Sequence, residues 1–145
     1  MGYRGRSAAR LAAVQILYTQ IISDISINDA LAIFMQDYSE KNMDDVPAKA
    51  PNLPFLTALV KGVVSGKQEL IDRIQPHLKS GWDIARLDPV LLNILLCGAH
   101  ELIENTNTDS AVLINEYLDV GHAFFDQKEV SFINKVLDGI KGSMQ

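Results

Sequence analysis

The sequence is poor in cysteine. Cys97 is the only one, which excludes an intramolecular disulfide and a cysteine-built zinc cluster and fits a reducing compartment. Long apolar runs are missing too. The richest window, 89–99, is interrupted by Asn93 and is far shorter than the roughly 20 residues a bilayer span needs. No signal-peptide pattern opens the chain, so a cytoplasmic location without a membrane partner is expected. There is no glycine-rich phosphate loop, no H-E-x-x-H and no G-x-S-x-G, which removes the familiar nucleotide-binding, zinc-protease and serine-hydrolase signatures. His77, His100 and His122 fall in three separate segments and offer no close ligand pair for a metal. His100 and Glu101 are adjacent, so on a helix they project about 100° apart and do not face each other. Asp44 and Asp45 sit in a polar stretch and read as solvated. With no nucleophile–base pair in view, the expectation is a protein that is not an enzyme and takes no cofactor or metal.

Acid is absent from the first 20 residues, although the chain as a whole carries −5. Arg4, Arg6 and Arg10 give that segment +3 and leave −8 on the remaining 125 residues. A basic tip on an acidic body can attract an anion locally despite the overall sign. At 145 residues, 48% of them hydrophobic and 21% charged, the chain has the size and composition of one globular domain, 1–145, with a sizeable core.

The periodicity is helical nearly throughout. Leu11, Val14, Tyr18 and Ile21 are spaced 3, 4 and 3 over 7–22, one stripe of an amphipathic helix. Arg6 and Arg10, four apart, line one edge of it. A second helix is predicted over 27–38, capped by Ser26 or Asn28. Residues 39–52, with Pro47 and Pro51, read as a surface loop. A third apolar segment runs from Leu53-Pro54 toward Leu78, weakened by Gly62 and Gly66 and kinked at Pro76. Asp88-Pro89 is a strong helix start, and the run from Val90 to Ile103 is apolar on nearly every face. Thr108 or Asp109 caps the next helix. Asp126 with Glu129 resembles a capping box that opens a last helix carrying Val130, Ile133, Leu137 and Ile140. No alternating strand pattern occurs. The fold class is all-α, a compact single-domain bundle of about six or seven helices.

What remains is binding. Recognition of RNA favours arginine and lysine for phosphates and aromatic faces for unstacked bases. The candidates are Arg4, Arg6 and Arg10, the rings of Tyr18, Phe124 and Phe132, and Lys128 and Lys135 on or near the last helix. By spacing alone the three rings belong to the core.

Several motifs then fall into a familiar order. Ala9 to Tyr18 reads A-R-L-A-A-V-Q-I-L-Y and resembles the N-terminal signature A-R-x-x-A-V-Q-A-L-Y of the NusB family. Ile114-Asn115-Glu116 is similar to that family's I-N-E, and 132–137, F-I-N-K-V-L, to its F-V-N-G-V-L. Trp82, Arg86-Leu87-Asp88 and Glu101-Leu102 resemble the elements between. The resemblance covers nearly the whole chain. It implies an all-helical transcription antitermination factor that binds boxA-type RNA. It does so together with NusE, a small-subunit ribosomal protein, in an antitermination complex on RNA polymerase, notably on ribosomal RNA operons. It also implies that the basic N-terminus and the neighbouring aromatics form the RNA surface.

The chain departs from the family in three places. Ser7 and Ala8 stand where further arginines are common, which predicts fewer phosphate contacts and a shallower salt dependence. Leu92 and Leu96 replace arginines in the central helix. This motivates a competing expectation, a NusB-like protein-interaction module or homodimer with little RNA affinity of its own. Lys135 replaces the glycine of F-V-N-G-V-L.

Overall fold

The computed structural model describes residues 4–41 and 50–144. Most of the loop expected at 39–52, with Asp44 and Asp45, lies outside the described residues. Among the described residues seven helices follow in order: α1 Arg6–Ile22, α2 Ile27–Lys41, α3 Leu53–Ser65, α4 Lys67–Ile74, α5 Pro89–Glu104, α6 Ser110–Phe124 and α7 Gln127–Ser143. Two 3-10 turns, Gln75–His77 and Ile84–Arg86, fall between α4 and α5. No strand occurs among the described residues. The chain divides into two compact units, Met1–Lys61 and Gly62–Gln145.

Helix starts follow the capping chemistry. The Asp88 carboxylate accepts from the Val90 N–H at 2.8 Å and the Leu91 N–H at 3.3 Å, satisfying two of the donors a helix start leaves open. Asp109 accepts from the Ala111 N–H at 2.9 Å, Ser26 from the Asp29 N–H at 3.0 Å, and Asn52 from the Phe55 N–H at 3.0 Å. The expected capping box at Asp126 does not form. Asp126 caps α7 with its backbone alone, and Oε2 of Glu129 is buried without a hydrogen bond. The long third segment breaks after Ser65 and again after Ile74, and Pro76 sits inside a 3-10 turn, where its missing N–H costs nothing.

In the first unit α1 packs on α2. The buried face of α1 is Ala9, Arg10, Ala12, Ala13, Val14, Ile16 and Leu17, rotated away from the expected stripe. Val14 is inside, whereas Tyr18 and Ile21 are exposed. The alanines explain the rotation, because small side chains let a second helix approach closely and take the core side.

In the second unit α5 packs against α4, α6 and α7. Leu91, Ile94, Leu95, Leu96, Cys97, Ala99 and Leu102 are all buried. Leu96, 1% exposed, belongs to the chain's own core, and Leu92 is half-buried. Leu96 is therefore spent internally, while Leu92 keeps part of its surface exposed, so the self-association face expected from the two leucines is reduced to one of them. Gly98 lets α5 and α7 approach closely: a Cβ there would lie 2.9 Å from Leu137 Cδ2. Cys97 is an inert packed thiol, its pKa driven up by burial and, secondarily, by Glu101. A polar pair joins α5 to α6 inside this core, the buried Tyr117 hydroxyl donating to Oε2 of Glu101. Asn93 is completely buried, and neither polar atom of its amide has a partner.

Candidate nucleic-acid interface

The basic N-terminal segment is a fixed part of the first unit. Gly5 caps α1 in the left-handed region at φ 79°, a conformation that favours glycine. Its carbonyl accepts from the Ala9 N–H at 3.0 Å and the Asn52 N–H at 2.9 Å. The Asn52 amide also donates to the Arg4 carbonyl at 3.3 Å. Arg4 and the start of α1 are thereby tied to the residues that open α3.

Phe55 draws the next two arginines together. The Arg6 guanidinium lies 4.7 Å from its ring centroid and that of Arg10 5.2 Å, both within cation–π range. Like charges four apart on a helix repel by a few tenths of a kcal/mol. The ring's negative face offsets this, by about 0.5–1 kcal/mol per exposed contact and more when desolvated. Arg10 is only 4% exposed, so it is a packed cation rather than the surface contact expected from its four-residue spacing to Arg6. Burial of the flanking Ala9 and Ala13 carries it inward. Arg4 is exposed and Arg6 half-buried. The first turn of α1 has no acidic residue and no side-chain cap, so the positive helix end adds to the arginines. Tyr18, which the stripe assigned to the core, is 39% exposed.

The remaining candidates belong to the second unit. Phe124 is 38% exposed, and its ring lies 6.5 Å from that of Phe125. Lys128 and Lys135 are exposed, and Phe132 is half-buried. These three are spaced 4 and 3 on α7, so they share one face. The Phe132 ring pairs with that of Trp82, centroids 6.2 Å apart. Spacing had not marked Phe55 or Trp82 as site residues. Phe55 lies inside the apolar segment that opens at Leu53-Pro54, and Trp82 stands out in the sequence only among the family-like motifs. The available signal was an aromatic in a polar turn, S-G-W-D. No group of three or more potential metal ligands occurs among the described residues, and no helix described is long and apolar enough to cross a membrane.

An all-helical protein with a cationic helix start and surface aromatics is a class suited to binding a polyanion. A model described as the NusB family matches residues 7–141, and the chain belongs to the NusB family. It is 36% identical over 137 residues to the transcription antitermination protein NusB of Novosphingobium aromaticivorans, covering 94% of this chain and 93% of that one. It is 40% identical over 138 residues to the protein of that name from Nitrobacter hamburgensis, covering 93% and 84%. Among solved structures, it is similar to a chain from a complex of the antitermination factors NusB and NusE with double-stranded RNA. The TM-score is 0.77 at 26% identity, over 97% of this chain and 98% of that one.

Proposed function

We propose that this chain is a transcription antitermination factor that binds boxA-type RNA together with NusE, within a complex on RNA polymerase that acts notably on ribosomal RNA operons. The observation that carries the reading is the likeness, along nearly the full length of both chains, to a NusB that stands in a complex with NusE and RNA. The family match runs through both compact units, which supports 1–145 acting as one functional domain. It works by binding, without catalysis, and the cytoplasm is the compartment that suits it.

Electrostatic capture by Arg4 and Arg6, reinforced by the start of α1, supplies the sequence-independent part of the affinity. Arg10 contributes by holding Phe55 and by adding to the local field. Tyr18, Phe124 and Phe132 offer faces for unstacked bases, and Lys128 and Lys135 neutralise phosphates. Because the arginine segment is already pinned at Asn52, less ordering is required on binding than for a free tail.

Filter binding of a boxA-type oligoribonucleotide, with and without NusE, tests the proposal. Retention above a scrambled control, strengthened by NusE and weakened by salt, is expected. If neither mixture retains the RNA above that control at low salt, the proposal fails.

A further inference from the structure

Trp82 is the chain's single tryptophan, and it is 50% exposed, an unusual position for a side chain of that size unless it meets something. Its loop is held in place. The Trp82 N–H donates to the Lys79 carbonyl at 2.9 Å, and the Gln75 side chain donates to the Trp82 carbonyl at 3.1 Å. At the base of the loop His77 lies against α7, where a Cβ on Gly139 would come within 3.0 Å of its Cε1. Gly81, at φ 85°, has open space on its Cβ side.

The indole is tilted 34° to the Phe132 ring, which leaves indole surface uncovered. Four cations stand within four residues of one ring or the other along the chain, alongside Asp83 and Glu129. Lys79 and Arg86 stand three residues before and four after Trp82, and Lys128 and Lys135 stand four before and three after Phe132. All four are exposed. Asp83, next to the indole, is engaged in capping the Ala85 N–H at 3.3 Å. An aromatic platform bracketed by cations fits a single-stranded polyanion whose bases have free faces, and a purely apolar partner would leave those charges desolvated.

Resting on the function proposed above, we infer that Trp82, backed by Phe132 and bracketed by Lys79, Arg86, Lys128 and Lys135, is a stacking platform for an unpaired base of the bound RNA. Because Trp82 is the only tryptophan, it reports on itself. In the intact chain, alone and with NusE, a single-stranded boxA-type oligoribonucleotide quenches its fluorescence. The same strand annealed into a blunt duplex, whose base faces are already stacked, does not. Trp82→Ala weakens single-strand binding by about 5- to 150-fold, and Trp82→Phe retains most of the affinity. Circular dichroism checks that each variant is folded. If Trp82→Ala fails to fold, the wild-type quench and the Trp82→Phe affinity decide.

Bound RNA with unchanged wild-type emission and undiminished Trp82→Ala affinity overturns this inference and leaves the proposed function intact. Loss of NusE capture by Trp82→Ala at unchanged RNA affinity also overturns it, making the platform a protein-docking surface. Absence of RNA binding by the wild type under every condition refutes the proposed function and this inference with it.

Discussion

Replacing Gly5 by alanine should cost about 2 kcal/mol and disturb the arginine segment at once. At φ 79° an alanine is about 1–2 kcal/mol less favourable than glycine. Its Cβ would collide with the Ala50 carbonyl oxygen, and would lie 2.7 Å from Asn52 N and 3.2 Å from Pro51 C. These are backbone atoms and cannot rotate aside, so two responses remain. The segment stays, and the protein bears the strain. Alternatively it peels away, giving up the Asn52–Gly5 bond of 2.9 Å and the Asn52–Arg4 bond of 3.3 Å. Those are worth about 1 kcal/mol each, so both routes lead to a similar loss. Urea unfolding at unchanged slope measures it. In the second case Arg4 also leaves its place, and the salt slope of single-strand RNA binding falls by about 0.7 for each phosphate no longer neutralised. Gly142→Ala is the matched control. Nothing lies within 4 Å of a Cβ there, and in the last turn of α7 the change should stay within about 0.5 kcal/mol of wild type. A Gly5→Ala variant within about 0.5 kcal/mol of wild type in urea, a margin typical of neutral surface changes, would refute the anchoring argument.

Other substitutions probe the second unit. Tyr117→Phe deletes the hydroxyl that serves the buried Glu101 and should cost about 1–3 kcal/mol by denaturant unfolding; a neutral result would show that the pair is not needed. Asn93→Leu replaces a buried amide lacking partners on both polar atoms with an apolar group of similar volume. A rise of about 1–2 kcal/mol is expected, and a loss of that size would mean the amide is satisfied in solution. His100 is half-buried, and its pKa lies below the ordinary 6.5 because burial disfavours the imidazolium, against the opposing pull of Glu104 and then Glu101. The unfolded chain therefore binds the proton more readily. The stability His100 contributes is complete above pH 6.5 and declines as pH falls through that value toward the lower folded one. His100→Gln should flatten the pH dependence of the urea midpoint in that window, and identical profiles for the two proteins would rule this out.

Legibility differed by the kind of residue. Capping at Asp88, Asp109 and Ser26 could be foreseen because a short acceptor before a helix acts within its own few residues. Asp126 and Glu129 have the same local pattern, yet the box does not close, since a terminus can be satisfied by backbone geometry alone. On α1 the spacing of large apolar residues pointed to Tyr18 and Ile21, while the buried face follows the alanines. Phe124, Phe132 and Lys135 could be nominated from residue type and the family resemblance. Phe55 could not, and Trp82 was legible only as a family-like aromatic in a polar turn, because their importance comes from what lies beside them, Arg6 and Arg10 in one case and Phe132 in the other.

Local chemistry written into the chain was enough to set its helical character, most of the helix starting points, the charge imbalance of the N-terminus and membership of the NusB family. Only the tertiary structure decided that Arg10 turns inward onto Phe55, that Leu96 closes an internal core, and that Trp82 stands out on the surface against α7. Helix propensity and capping act over three or four residues. Which side of each helix is covered depends on contacts between residues tens of positions apart, and no periodicity along the sequence encodes those partners.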